Sequence, residues 1–385
     1  VALAALAATA SFAQSSVTIS GLIDTGYQIV NAGYSSTATP AGTLTASDYK
    51  GLKTNGSATT VLTIAGSEDL GAGLKANFQL QLTPDFLTGN GVQGGTTANV
   101  GGDATYNTAI GNAQQAYVGV SGGFGEVKLG RVNSNALDAW GAGSVFGTAL
   151  GSGYGANGNI YTRYSTTAPT SPYNSAPTRF NNAIRYESPA FSGFSGSLLY
   201  VPQVNVVDGT NSADTTAAHS TNRQGVTEFA LKYNNGPLNV VYANQKISTG
   251  SQGVVDLVSN TAATAMAAGV DNKLQILAAN YNIGAATVYA AAWTEKQNSA
   301  TAVDAAGQMI GAKYVIGATT VMASYGRNND KTATNADKKI YGIGADYALS
   351  KRTALYARYE NRDANTTDAN DDKTKTTAIG IRHTF

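Results

Sequence analysis

Over most of its length the chain alternates apolar and polar residues with a period of two. The first such segment carries Val17, Ile19, Gly21, Ile23, Tyr27 and Ile29 on one face, and Thr18, Ser20, Asp24 and Gln28 on most of the other. Similar segments run over 74–82, 352–360 and 377–385. Because strand side chains point alternately to opposite faces, each segment is predicted to be a strand with one apolar and one polar side.

Short turns and long polar loops separate these strands in strict alternation. Turns are predicted at 68–73, 121–124, 188–191, 234–237, 282–284, 316–318 and 349–351. Long loops are predicted near 31–58, 83–111, 132–178, 203–224, 247–271, 295–306, 328–337 and 363–374. Short turns at one end and long loops at the other are typical of a transmembrane antiparallel β-barrel, here of about 16 strands. The fold class is therefore predicted to be all-β.

The longest predicted loop, at 132–178, interrupts this pattern of hairpins. It is rich in Gly, Ser, Asn, Thr and Pro, has no sustained period, and is far longer than an ordinary hairpin loop. We expect such a loop to have a role of its own. The prediction is that it folds into the barrel lumen as a constriction loop, held by charged groups on the inner wall, and sets the size of a pore.

Composition limits the possible classes further. Charged residues make up 13% of the 385, with 44 Gly, 21 Tyr and 10 Phe, which is unlike an average cytosolic enzyme. The net charge of +1 and the absence of a basic cluster argue against a nucleic-acid partner. No cysteine is present, which excludes disulfides and thiolate zinc sites. Beyond the N-terminus no apolar run approaches the length of a membrane-spanning helix.

The N-terminal stretch has a different character from the rest. Residues 1–13 are small and apolar and end in Ser11-Phe12-Ala13, which resembles a signal-peptidase site. They are predicted to be the remaining part of a secretory signal peptide, and a buried N-terminal helix is the alternative. No linker or composition break divides residues 14–385, which are predicted to form a single barrel domain.

A soluble β-sandwich would also alternate, so the two faces have to be compared. Nine tyrosines are predicted near strand ends, where a membrane barrel carries aromatic girdles: Tyr27, Tyr117, Tyr186, Tyr200, Tyr233, Tyr281, Tyr325, Tyr347 and Tyr359. A sandwich core would bury Lys75, Gln79, Arg179, Arg185, Arg358 and Arg382 unpaired. Such burial costs several kcal/mol per charge, roughly, whereas a water-filled lumen leaves the charges hydrated. The polar face therefore favours the membrane barrel.

The chain resembles the general porins of the β-proteobacterial outer membrane. The resemblance is carried by Ser15–Gly21, Gly66–Gly71, Gly73–Ala76, Phe78–Leu80, Gln115–Gly125, Leu129–Arg131, Arg179–Pro189 and Gly380–Phe385, in that order. It covers nearly the whole chain after residue 13. It implies a sixteen-stranded homotrimeric channel in outer-membrane lipid and lipopolysaccharide, with the third loop folded inside and Phe385 recognised by the barrel-insertion machinery.

The resemblance also implies where this sequence departs from its family. Members that prefer anions carry basic residues on the inner faces of strands two and four, and the matching positions here are Val61, Ala65 and Gln114. The remaining candidates for the pore constriction are Arg179, Arg131, Lys75 and Arg185, opposite a loop whose clear acid is Asp138. A wall arginine paired for structure alone, as Arg358 with Glu360, is the alternative for Arg179. Only a weak anion preference is expected.

Catalytic and metal sites are not predicted. The two histidines are His219, in a predicted outer loop, and His383, on the lipid-facing register of the last strand, so neither a catalytic triad nor a paired-histidine site is formed. No cofactor is expected. Asp368, Asp371 and Asp372 could hold a divalent or lipopolysaccharide-bridging cation, or form a solvated acidic loop. A passive channel for small hydrophilic solutes and ions is favoured over an adhesion or anchoring barrel, and over an enzyme.

Overall fold

The computed structural model describes residues 16–32, 48–84, 87, 113–154, 178–206, 221–223, 225–248, 271–298, 303–333, 335, 337–363 and 373–385. The elements are β1 Ser16–Ala32, β2 Tyr49–Thr54, β3 Val61–Gly71, β4 Leu74–Leu82, β5 Ala113–Gly122, β6 Gly125–Asn133, α1 Asn135–Gly143, β7 Arg179–Glu187, β8 Phe194–Val201, β9 Val204–Val206, β10 Thr221–Arg223, β11 Gly225–Asn235, β12 Leu238–Ser248, β13 Asp271–Ile283, β14 Ala286–Gln297, β15 Val303–Ile316, β16 Thr319–Asp330, β17 Lys338–Ala348, β18 Thr353–Asp363 and β19 Lys373–Thr384. Within these ranges no helix is both long and apolar enough to cross a membrane.

The strands form a closed antiparallel barrel. Most consecutive strands pair along the chain, β8 pairs with β11, and β1 pairs with β19 to close the ring. β2 and β3 both pair with β1, over residues 25–30 and 16–22 respectively, so they are two parts of one interrupted strand. The barrel therefore has the sixteen strands that the alternation predicted. β9 and β10 form a separate two-stranded extension.

The two faces of the wall form distinct registers. The outer register consists of exposed apolar side chains; Ile19, Leu277 and Ile379 are 65%, 54% and 67% exposed. The inner register consists of the alternate residues, among them Asp24, Glu228 and many small side chains, which are buried or half-buried. An apolar outer face and a partly polar inner face are what a membrane-spanning barrel requires, and they exclude a sandwich.

Short turns join the strands at one end of the barrel, as predicted. All seven predicted turns fall between paired strands; that between β3 and β4 consists of Ala72 and Gly73, which both have positive φ angles of 51° and 78°. The chain also closes at this end. The backbone N–H and C=O of Phe385 pair with Gly21 at 3.1 Å each. A Cβ on Gly21 would lie 2.4 Å from the Phe385 ring, so the seam needs a glycine here.

The predicted loops contain structure that the sequence pattern did not reveal. The prediction of a loop over 31–58 is wrong for β2, which pairs with the second half of β1. The aperiodic 132–178 stretch contains the helix α1, and β9 and β10 lie within the predicted 203–224 loop. Tyr117 was predicted at an outer girdle but lies on the inner register, where its hydroxyl donates to Gln79. Tyr27, Tyr200 and Tyr347 are about half exposed, as a girdle requires.

Candidate pore constriction

Helix α1 begins immediately after β6 and is capped at its first turn. The Ser134 hydroxyl accepts a hydrogen bond from the Leu137 N–H at 3.0 Å, as serine does at many helix N-termini. The next free N–H, that of Asn135, donates to the fully buried Glu228 carboxylate on β11 at 2.6 Å. Gln245 on β12 donates to the other oxygen of that carboxylate. The start of α1 is therefore fixed to the wall on the far side of β8.

The helix packs on an apolar area of the inner register. This area consists of Ala230, Val241, Ala243, Leu274, Ile276, Ala278, Ala291, Trp293, Met309 and Ile340. Trp140 of α1 meets Trp293 edge-on, with ring centroids 5.6 Å apart. A Cβ on Gly143 would lie 2.6 Å from the Ala291 Cβ, so the helix end approaches the wall too closely for any larger residue. The centre of α1 thus packs on an apolar part of the wall, while its ends contact the polar side chains of Glu228 and Asn280.

The turn region that follows α1 is held to β16–β18. The buried Glu360 carboxylate on β18 accepts from the N–H groups of Gly151 and Gly153, at 2.8 and 3.2 Å. The Gly151 carbonyl accepts from the Ser324 hydroxyl at 2.7 Å. Burial raises the pKa of the Tyr154 phenol, which packs beside Trp140. Residues 134–154, here named the 134–154 segment, are thus held at both ends by buried carboxylates.

Six charged side chains surround the exposed side of α1. This α1 cluster consists of Glu126, Lys128, Asp138, Arg185, Glu187 and Lys232. Asp138 accepts from Arg185 at 2.5 Å and from Lys232 at 2.9 Å. Glu187 bridges Arg185 at 2.9 Å and Lys128 at 2.6 Å. Three acids and three bases are joined, so their charges balance.

A second group of charges lies under the other end of the segment. This arginine cluster consists of Asp346, Arg358, Glu360, Arg362 and Arg382. Asp346 bridges Arg358 at 2.7 Å and Arg382 at 3.2 Å. The suggested pairing of Arg358 with Glu360 is wrong, because Glu360 pairs with Arg362. The Arg358 guanidinium is buried between the Phe146 ring, 5.6 Å away, and the Ser57 hydroxyl, 2.9 Å away.

The wall formed by β3–β5 carries uncharged polar groups instead. Its inner register includes Thr63, Gln79, Gln81, Gln115 and Tyr117, all half-buried. The three positions matched to basic residues lie in the same wall. Val61 and Ala65 are on the Thr63 face of β3, and Ala65 stands opposite Gln79. Gln114 lies in a bulge between β4 and β5, where its amide donates to Thr83 at 2.8 Å.

The predicted constriction residues are only partly brought together. Arg185 and Asp138 form an ion pair, as described. Arg179 begins β7 and donates to the neighbouring Thr178 hydroxyl at 3.3 Å, and Arg131 donates to Asn181 at 2.7 Å. Lys75 is exposed, two residues after the turn between β3 and β4. The roles of Arg179, Arg131, Lys75 and Gln114 in the constriction therefore stay predictions.

Several charged residues of this region were not predicted from the sequence. Only the pairing of strands brings them to this region: Lys128, Glu187, Lys232, Glu228 and Asp346. The Ser134 cap was the one local signal for α1. Asp368, Asp371 and Asp372, His219 and residues 1–13 lie outside the described residues. Among those described, no three His, Asp or Glu side chains are grouped as a metal site would require.

Comparison with known proteins decides the family. The family model described as Gram-negative porin matches residues 1–381. The chain belongs to this porin family. A porin with an exposed apolar register lies in the cell outer membrane as a multi-pass β-barrel.

Individual relatives are more distant. The chain is 30% identical over 266 residues to outer membrane porin protein 32 of Delftia acidovorans, covering 65% of this chain and 60% of the relative. It is 28% identical over 247 residues to the major outer membrane protein P.IB of Neisseria gonorrhoeae, covering 61% and 58%. The match thus spans about three-fifths of the length of these relatives.

Solved porin structures share the fold over almost the entire chain. The anion-selective porin from Comamonas acidovorans superposes with a TM-score of 0.69 at 24% identity, covering 97% of this chain and 100% of that one. OmpT of Vibrio cholerae in its trimer form gives 0.61 at 16% identity, covering 96% and 99%. At these identities the likeness shows the fold alone.

Proposed function

We propose that this porin is a channel for the passive diffusion of small hydrophilic solutes and ions, and that the 134–154 segment lies in its lumen and limits their size. The observation that carries the proposal is the contact of this segment with inner-register side chains, from Glu228 on β11 to Glu360 on β18. Among the described residues, a segment held there leaves the β1–β6 side of the lumen uncovered. Narrowing by a fixed internal element is a physical basis for a size limit.

The proposed selectivity is a weak preference for anions. The α1 cluster is balanced, while the arginine cluster joins three guanidinium groups to two carboxylates. Arg382 is its most exposed member, with 35% of its side chain accessible. Charges act over the Debye length of about 8 Å at physiological salt, so a lumen whose charges are largely paired, with Arg382 partly accessible, biases ion passage only slightly toward anions.

The test is single-channel recording in a planar bilayer. Purified, refolded protein should insert in discrete, ohmic current steps in KCl. An adhesion or anchoring barrel, the other class considered, would give protein in the membrane without reproducible steps. The same absence of steps would overturn the proposed channel. We propose no catalytic role and no cofactor.

The proposed assembly is a homotrimer surrounded by outer-membrane lipid and lipopolysaccharide. The OmpT structure in trimer form and the exposed Val17, Ile19 and Ile379 near the chain ends support it. We also propose that residues 1–13 are a signal peptide preceding a single domain, 14–385, and that Phe385 is its insertion signal. Cross-linking of unheated, detergent-extracted protein should give a trimer band, whereas monomer at all loadings would contradict it.

A further inference from the structure

The side of the lumen that the 134–154 segment leaves open carries a continuous set of uncharged hydrogen-bonding groups. We name Thr63, Gln79, Gln81, Gln115 and Tyr117 the amide strip. Across β3, β4 and β5 they are arranged in register: Thr63 stands opposite Gln81 and Gln81 opposite Gln115, while Gln79 stands opposite Tyr117. Successive rows along β4 are two residues, and so about 7 Å, apart. The strip therefore offers polar groups in sequence along the strands.

These groups keep much of their hydrogen-bonding capacity. A glutamine amide has two donor hydrogens and an acceptor oxygen. Gln81 donates to Thr63 at 3.3 Å, and Tyr117 donates to the Gln79 oxygen at 3.4 Å. The Gln115 oxygen accepts from the Asn133 N–H at 3.4 Å. All three distances lie beyond the usual range for strong hydrogen bonds, so solute hydroxyl groups can replace them at little cost.

Tyr117 adds an apolar surface to the strip. Its ring is half-buried on the inner register, and it stands opposite Gly130 of β6, which has no side chain. An aromatic face beside a polar hydroxyl suits a solute that has both C–H faces and hydroxyl groups. The strip also ends beside the 134–154 segment, because Asn133, which contacts Gln115, immediately precedes Ser134.

Two of the nearby cations, Lys128 and Arg131, are engaged elsewhere. Lys128 lies 5.3 Å from the Tyr117 ring centroid, but its ammonium group is bonded to Glu187 at 2.6 Å and to Glu126 at 3.1 Å. Arg131 donates to Asn181. A site for anions needs a cation directed at the solute, whereas the strip presents amides, hydroxyls and one aromatic ring.

We propose that the amide strip is a weak binding track for uncharged polyhydroxylated solutes of the sugar class. The proposal rests on the proposed channel function and specifies the solute class of that pore. Paired hydroxyl groups match the combined donor and acceptor character of amides, and the balanced charges around α1 leave no strong field that would favour ions over neutral solutes.

The experiment measures the reduction of single-channel KCl current by maltose, with citrate as the anionic comparison. Maltose should reduce the current of the unmodified channel in a saturable way, and citrate should do so less. In the double variant Gln79→Ala with Gln81→Ala, the maltose concentration for half reduction should rise at least about threefold, as expected for the loss of one or two net hydrogen bonds.

The matched control is Gln275→Ala, because Gln275 is an exposed amide of β13 that donates to Tyr242 at 3.1 Å on the outer register. It should leave the maltose effect unchanged. Tyr117→Phe serves if the double variant does not fold, and it should weaken the effect by removing one hydroxyl. Equal maltose effects in the strip variants and the unmodified channel, or stronger reduction by citrate, would overturn the proposal while the channel function stands. The absence of current steps would overturn both.

Discussion

The inner wall of this barrel is built in two different ways on its two sides. On β11–β17 part of the inner register is apolar, with Ala278, Ala291 and Trp293 receiving the helix α1, and buried polar groups such as Glu228 and Glu295 lie on the same register. On β3–β5 the same register carries amides and hydroxyls, such as Gln79 and Gln81, and stays half-buried. The difference is that the wall beneath α1 supplies apolar contacts to the helix beside hydrogen-bonded buried polar groups, whereas the β3–β5 wall presents half-buried polar groups.

The two sides also differ in how charge is arranged. Ion pairs surround the 134–154 segment, where Asp138 joins α1 to Arg185 and Lys232, and Asp346 joins Arg358 to Arg382. The amide strip on the open side has no charged member. Because a buried unpaired charge is costly, the packed segment needs its charges paired, and this pairing reduces the field that the open side experiences.

The largest expected effect comes from removing the covering segment. Deletion of 141–151 removes the contacts of Phe146 and Gly151 and should raise single-channel conductance roughly twofold, because the narrowest cross-section dominates the resistance of a pore. The control deletes eleven residues, 208–218, from the 203–224 loop, and should change conductance little. Equal changes from both deletions would show that the 134–154 segment does not limit the pore.

The next effect concerns the balanced α1 cluster. Asp138→Asn removes one of three acids and leaves Arg185 and Lys232 with a surplus positive charge, so the anion preference should increase. Lys232→Met is the mirror variant and should shift selectivity toward cations. Both changes are read as the zero-current potential across a bilayer with a KCl gradient. A shift of the same sign in the two variants would contradict an electrostatic role for the cluster.

A similar but smaller shift is expected at β7. Arg179→Ala removes a cation whose guanidinium donates to the uncharged Thr178 hydroxyl and lies near Tyr154. The weak anion preference should therefore disappear or invert. Arg179→Lys, which retains the charge, should preserve it. Unchanged selectivity in Arg179→Ala would place the controlling charges elsewhere, at Arg131 or Arg185.

The smallest expected effect is a gain of charge on the open side. Gln114→Arg introduces a cation at the bulge beside Thr83 and should strengthen the anion preference. Gln114→Leu is the matched neutral variant and should leave the zero-current potential as it is. If the arginine variant also gives no shift, position 114 does not face the ion path.

The barrel itself could be predicted from the sequence because its determinants are local. Period-two alternation fixes the registers, and turn residues such as Gly73 and Gly236 mark the hairpins. Helix α1 was missed because it is only nine residues long and contains Gly141 and Gly143, so its period is too short to stand out. Its Ser134 cap was the one clue.

The candidate site could be predicted only in part, because its contacts join distant residues. Asp138 and Arg185 were both named from the sequence, but their ion pair spans 47 residues and Lys232 joins from 94 residues away. The inner-face residues that α1 contacts depend on where the helix docks, and no local sequence pattern predicts the docking position. The neutral positions Val61, Ala65 and Gln114, by contrast, were visible as departures from a family pattern.

We propose that a nearly charge-balanced lumen makes this porin only weakly selective. The most direct test is the zero-current potential of the unmodified channel under a tenfold KCl gradient. We predict a potential close to zero, of the sign for a slight excess of chloride flux, since the charges of the α1 cluster balance and Arg382 of the arginine cluster is partly accessible. A potential near the ideal value of roughly 59 mV for a monovalent ion in either direction would contradict it.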